Sequence, residues 1–191
     1  MNKNLLILEG SPRKKGNSTV LAARAADAAR EAGITVEILR LHGLKISPCN
    51  NCDLCKGDVD FCVLKDDMQT IYPKILAADG VLFATPIYWF TFTAQLKLCI
   101  DRWYGLWNQQ PDFLRSKPVG VILTFGDPDL YSSGAINAVH TFESMFRYTG
   151  SEIAGWVFAS LSDVGDAQKH PELLESASAL GKKFAAMLEN R

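Results

Sequence analysis

Apolar residues gather in short runs at intervals along the chain: Leu5–Leu8, Val36–Leu41, Val81–Ala84, Val119–Leu123 and Ile153–Ala159. Each run has the length of a strand, and several are rich in β-branched residues, which fit a pleated surface. Longer segments with apolar residues at helical spacing separate most of them. Runs with almost no polar interruption suit strands covered on both faces, and parallel strands need crossovers long enough to hold a helix. The pattern predicts an α/β fold, a doubly wound five-stranded parallel sheet with helices on both faces.

The helical segments carry their own boundary signals. An alanine-rich stretch from Thr19 to Ala32 ends at Gly33, with Asn17 or Ser18 as its expected N-cap; its small side chains allow close packing. The next helix begins around Asp66, with Gln69 as a capping partner and Met68, Ile71, Tyr72, Ile75 and Leu76 on one face. Pro73 removes one backbone donor there, so that helix either kinks or has a separate first piece. A third helix from about Thr93 carries Leu96, Cys99, Ile100, Trp103 and Trp107, a fourth spans about Gly134 to Thr149, and a last begins near Pro171. No repeat or linker divides the chain, so residues 1–191 read as a single domain whose one long connection is the segment at about 47–65.

Composition narrows the function classes. The chain has 191 residues, 48% of them hydrophobic, enough for one well-buried core. Lys and Arg number 20 against 21 Asp and Glu, which gives no basic footprint for nucleic acid. No stretch approaches the length of a membrane span, and Leu5–Leu8 is too short for a signal-peptide core, so a cytoplasmic location is expected, with neither nucleic acid nor membrane as a partner. Five cysteines in a reducing compartment argue against a disulfide framework and for metal ligation or redox chemistry.

Directly after the first strand comes Gly10-Ser11-Pro12-Arg13-Lys14-Lys15-Gly16-Asn17-Ser18-Thr19. The free amides of the helix N-terminus, the hydroxyls of Ser11, Ser18 and Thr19 and the Arg13 guanidinium are all donors suited to a phosphate dianion. The loop lacks the Gly-x-Gly-x-x-Gly dinucleotide fingerprint and the Walker lysine, which leaves a mononucleotide phosphate. The bland alternative is a polar loop that only caps its helix.

Four of the cysteines, Cys49, Cys52, Cys55 and Cys62, are spaced C-x2-C-x2-C-x6-C within the long connection. Two successive two-residue gaps let three thiolates converge from one turn, a pattern that nominates an iron-sulfur centre. Tetrahedral zinc and plain reduced thiols remain as rival readings. The last gap is longer than in the bacterial ferredoxin run, and valine rather than proline follows it, so this is no ferredoxin module. Cys99 falls on an apolar stripe and reads as a core residue. His42, His140 and His170 form no ligand or triad spacing, and Asp66, Asp67, Asp101 and Arg102 read as capping or ion-pairing groups, so no acid–base catalytic residue is assigned.

The segments GSPRKKGNST, TPIYWF and AQLKLCIDR resemble the flavodoxin-like NAD(P)H-dependent FMN reductases. With the cysteines and the following Asp66-Asp67-Met68, the chain resembles the iron-sulfur flavoproteins of that superfamily. The resemblance implies strand order 2-1-3-4-5 and FMN as cofactor. Its phosphate would be held by Ser11, Arg13, Asn17, Ser18 and Thr19 and its ring by Pro86, Ile87, Tyr88, Trp89 and Phe90, with Thr124 and Gly126 on the other side. It also implies a 4Fe-4S cluster on Cys49, Cys52, Cys55 and Cys62, exchanging electrons with FMN in an oxidoreductase or electron-transfer flavoprotein. A homodimer or homotetramer is expected, with ferredoxin or NAD(P)H as electron donor. The alternatives are a cluster-free NAD(P)H-dependent FMN or quinone reductase and, from another class, a zinc-stabilised binding module.

Overall fold

A computed structural model describes residues 3–191. Five parallel strands form the sheet: β1 (Asn4–Glu9), β2 (Thr35–Arg40), β3 (Gly80–Tyr88), β5 (Pro118–Phe125) and β6 (Glu152–Ser160). Their spatial order is β2-β1-β3-β5-β6, and a two-residue strand, β4 (Thr91–Phe92), folds back antiparallel on β3. Counting only the parallel strands, this is the expected order 2-1-3-4-5. Helices α1 (Asn17–Glu31), α2 (Met68–Ala77), α3 (Ala94–Asp101), α4 (Trp103–Gln109), α5 (Ala135–Thr149) and α6 (Pro171–Glu189) make the crossovers and cover the sheet.

The period-two geometry of strands sorts the core into two halves. Leu6 and Leu8 of β1 join Val81, Phe83, Val121 and Leu123 beneath α2, α3 and α5, where Tyr72, Leu96 and Phe142 are fully buried. Leu5 and Ile7 point the other way, with Leu82, Ala84 and Ile122, toward Leu21 and Ala25 of α1 and Phe184 of α6. The alanines of α1 earn their place here. Gly181 of α6 presses on the carbonyl oxygen of Ala25, a contact that any Cβ at 181 would obstruct.

Three local expectations change. Gly16, rather than Asn17 or Ser18, is the N-cap of α1, and no side chain caps that end. The helix expected from Thr93 breaks at Arg102 into α3 and α4. Gln69 does not cap α2; its Nε2 donates to the carbonyls of Cys62 and Leu64, both at 2.7 Å, while Asp66 Oδ1 accepts from the Met68 amide at 3.1 Å. The helix α2 itself runs unbroken through Pro73. Among the described residues no helix is long and apolar enough to cross a membrane.

Candidate functional site

The sheet order reverses between β1 and β3, and there the carboxyl ends of β1, β3 and β5 open a cleft of about 150 Å³. Ligands of doubly wound sheets lodge at such a switch point. The first wall is the loop after β1. The Gly10 amide continues the ladder to Ala84 O at 2.8 Å, and buried Thr93 donates its hydroxyl to Gly10 O at 2.9 Å, so the loop starts from a fixed point. A Cβ on Gly16 would stand 2.8 Å from the Ser11 hydroxyl, so glycine there lets the loop close over Ser11.

The first intrahelical bond of α1 runs from the Val20 amide to Gly16 O at 3.0 Å. The amides of Asn17, Ser18 and Thr19 precede it and carry the positive end of the helix dipole. Ser18 is 1% exposed, lines the cleft, and its Oγ has no hydrogen-bond partner. A buried hydroxyl without a partner costs about 1–3 kcal/mol. The uncapped amides, the orphaned hydroxyl and the nearby Arg13 make a set of donors that fits a phosphate.

The structure brings Ser11, Arg13, Asn17, Ser18, Pro86, Ile87, Tyr88, Thr124 and Gly126 to this one cleft. Thr19 is held away from it: its hydroxyl bonds the carboxylate of Glu9 and Arg13 O. Glu9 is 3% exposed, and burial raises its pKa against the lowering effects of the Thr19 hydroxyl and the Arg40 charge. Trp89 and Phe90 are likewise absent from the cleft lining. They occupy the two-residue turn between Tyr88 and Thr91, with φ of 49° and 70°. That turn throws the Trp89 side chain into solvent, where it is 92% exposed. Around Gly126 no protein atom lies within 4 Å of where a Cβ would sit, so its face toward the cleft is open.

Sequence reasoning missed a wall of the cleft, Leu161, Ser162 and Val164 beyond β6. Asn17 ties it on: Nδ2 donates to Asp163 O at 2.8 Å, and Oδ1 accepts from the amides of Gly165 and Ala167, each at 3.1 Å. The sequence signal was the asparagine itself, a side chain able to serve donors and acceptors at once.

A second site lies in the connection between β2 and α2. Cys49, Cys52, Cys55 and Cys62 all line one cavity of about 20 Å³, together with Asn50, Asn51 and Arg102. Among the described residues no group of three or more His, Cys, Asp or Glu is placed to hold a metal ion. The cavity has room for about one water, so a group of several atoms enters only if the loop moves outward. Cys49 and Cys52 are exposed, while Cys55 is buried. Burial raises the Cys55 pKa against the opposing hydrogen bond from Asn108, whose Nδ2 stands 3.4 Å from Sγ.

The loop is held mostly by side chains. Gln109 Nε2 donates to Cys55 O at 2.9 Å, Gln69 to Cys62 O, and Asp66 Oδ2 accepts from the Ser47 amide at 2.9 Å. Asn51, Asp53 and Phe61 take positive φ. The Asp66 side chain pairs with Arg102 at 2.6 Å, both of them buried. Burial raises the Asp66 pKa, yet the hydrogen bonds from Arg102 and Ser47 and the Arg102 charge outweigh it and hold the carboxyl below its usual range. Cys99 is fully buried, which pushes its pKa up to about 12.

Comparison with known proteins agrees with this geometry. The family model described as NADPH-dependent FMN reductase matches residues 4–159. An iron-sulfur flavoprotein of Archaeoglobus fulgidus is 32% identical over 188 residues, covering 95% of each chain. That of Methanosarcina thermophila is 37% identical over 119 residues, 62% of this chain and 61% of its own. The solved Trp repressor binding protein of Bacillus subtilis superposes with TM-score 0.69 at 28% identity, over 92% of this chain and 96% of its own. The chain belongs to the NADPH-dependent FMN reductase family, within the flavodoxin-like superfamily that also holds the iron-sulfur flavoproteins.

Proposed function

We propose that this protein binds FMN in the cleft at the ends of β1, β3 and β5 and works as a flavin-dependent oxidoreductase that draws reducing equivalents from NAD(P)H. The observation that carries the reading is the uncapped start of α1 with the orphaned Ser18 hydroxyl inside the cleft. Bound FMN supplies hydride acceptance and single-electron or paired transfer. The chain's own residues bind and orient. Ser11, Arg13, Asn17 and Ser18 hold the phosphate, and Asn17 also fixes the wall that carries Ser162 and Val164. Pro86, Ile87 and Tyr88 form the ring side, where the half-exposed Tyr88 offers an aromatic face. Ile87, Phe125, Leu161 and Val164 add apolar lining to the rest of the cleft.

The test is anaerobic mixing of the FMN-loaded protein with NADPH and NADH. Rapid bleaching of the flavin band supports the reading; a flavin that stays oxidised with both nicotinamides sinks it. Protein that takes up no FMN sinks the cofactor assignment as well.

A second reading is favoured by one observation, that all four clustered cysteines line a single cavity. In it, Cys49, Cys52, Cys55 and Cys62 would ligate a 4Fe-4S cluster, which would supply single-electron chemistry beside the flavin, with ferredoxin as donor. Four thiolates are the donors such a cluster takes, and seating one would require the loop to open. Support also comes from the relatives named iron-sulfur flavoprotein. Iron and acid-labile sulfide analysis after anaerobic reconstitution decides: their absence removes the cluster and leaves the flavin claim standing.

A further inference from the structure

Glu9 ends β1 at the root of the phosphate loop, a buried carboxyl group that does not line the cleft. Its Oε1 bonds the hydroxyl of Thr19 in the first turn of α1. The same hydroxyl lies 3.1 Å from Arg13 O. That carbonyl is where the loop gathers, since the Gly16 amide at 3.2 Å and the Ser11 hydroxyl at 3.3 Å donate to it as well. Counting protons decides which form of Glu9 suits this arrangement. A threonine hydroxyl has one proton to give and lone pairs with which to accept. With Glu9 ionised, the carboxylate and Arg13 O compete for that single proton. With Glu9 protonated, the acid donates to Thr19 Oγ1, Thr19 donates to Arg13 O, and every member of the chain is satisfied. The charged surroundings are sparse. Arg40, the register partner of Glu9 on β2, is the cation whose field reaches it, but Arg40 Nη2 is turned to Pro12 O at 2.6 Å. Ala84 on β3 and Thr19 on α1 are uncharged, and the loop's own Arg13, Lys14 and Lys15 are exposed.

We propose that Glu9 is a positioning residue for the FMN phosphate: protonated, it sets the Arg13 carbonyl and the phosphate loop through the Thr19 hydroxyl, and ionised, it draws that hydroxyl away. The inference rests on the reading of the cleft as an FMN site. An ionised Glu9 also places a negative charge at the root of a loop that must take a phosphate dianion, and the two repel. FMN therefore favours the protonated acid, and its binding takes up a proton from solvent onto Glu9. Burial already moves the free carboxyl in that direction, raising its pKa.

The test is calorimetric titration of the apo protein with FMN from about pH 5 to 8, for wild type, Glu9→Gln and Thr19→Val. The Gln amide can donate as the protonated acid does and never ionises. The second ionisation of the phosphate, at about pH 6, acts on all three proteins alike and cancels in their ratios. The dissociation constant of wild type relative to Glu9→Gln is expected to rise by up to about tenfold per pH unit once Glu9 ionises in the free protein. Over the same range wild type should take up as much as about one more proton per FMN, read from the dependence of the heat on buffer. A purely structural Glu9 predicts a ratio that ignores pH and equal proton counts, and that outcome overturns the inference. If Glu9→Gln does not fold, Thr19→Val decides: its affinity deficit against wild type is expected to shrink as pH rises, and a constant deficit, or none, overturns the inference. Wild type that binds no FMN at any pH brings down the FMN reading together with this inference, whereas FMN bound with one shared pH profile brings down the inference alone.

Discussion

Gly105 of α4 lies directly against the carbonyl group of Phe61, leaving no room for a side chain between helix and loop. The cysteine loop rests on α4 through this contact, next to the Gln109 bonds to Cys55 O and Gly57 O at 2.9 and 3.2 Å. Gly105→Ala must displace backbone rather than a flexible side chain. The substitution is expected to lift the loop, costing about 1–3 kcal/mol as an overpacked contact does. Thermal melting checks the cost, and faster hydrogen exchange confined to residues 55–62 checks the place. Unchanged exchange there would count against α4 as the seat of the loop.

Asn17 joins the start of α1 to the turn after β6 with three hydrogen bonds. Asn17→Ala removes all of them and is expected to destabilise the fold by about 1–2 kcal/mol. FMN affinity should fall about tenfold for each 1.4 kcal/mol that the loosened wall loses. Isothermal titration of the apo protein measures this. Equal affinity in the variant would separate the 162–164 wall from flavin binding.

Glu9 makes stability depend on pH in a direction opposite to most carboxylates. Its folded pKa is raised above the ordinary 4.5, so the folded state holds the proton more tightly than the unfolded one. This contribution is complete below 4.5 and is lost as pH rises through the folded value. Glu9→Gln, neutral at every pH and still able to accept from Thr19, should gain on wild type as pH climbs from 4.5 toward neutrality. Urea unfolding across that range reads the difference. A constant gap between the two proteins would mean that Glu9 ionises normally.

Trp89 and Phe90 hold positive φ in a turn that favours asparagine and glycine. Left-handed backbone costs an ordinary residue about 1–2 kcal/mol. Trp89 is 92% exposed and gives almost no packing in return. Trp89→Asn should therefore raise stability by about 1 kcal/mol, seen as a higher melting temperature. A lower one would reveal that the indole is held by something beyond its own chain.

The sheet was legible because its signal is local and repeated. Leu5–Leu8 is apolar at every position, and only a strand covered on both sides uses such a run. Arg13, Gly16 and Ser18 stood out for a similar reason, as residues of one short segment at a strand–helix junction. What escaped was long-range. Thr19 turns from the cleft because Glu9 is buried beneath it, and nothing in GNST foretells a carboxylate ten residues back. The 161–164 wall is tied to the cleft by Asn17, 146 residues before Asp163, and by the Leu161 amide on Phe125 O. Trp89 and Phe90, expected against the ring, form a tight turn at the end of β3 and are absent from the cleft lining.

The orphaned Ser18 hydroxyl and the open amides beside it are donors that the proposed phosphate would satisfy. Folding and cofactor capture are then thermodynamically linked, and free flavin at a hundredfold over its dissociation constant would add about 2.7 kcal/mol to the folded state. If the cleft takes FMN as proposed, resistance of the chain to added protease would rise with flavin concentration.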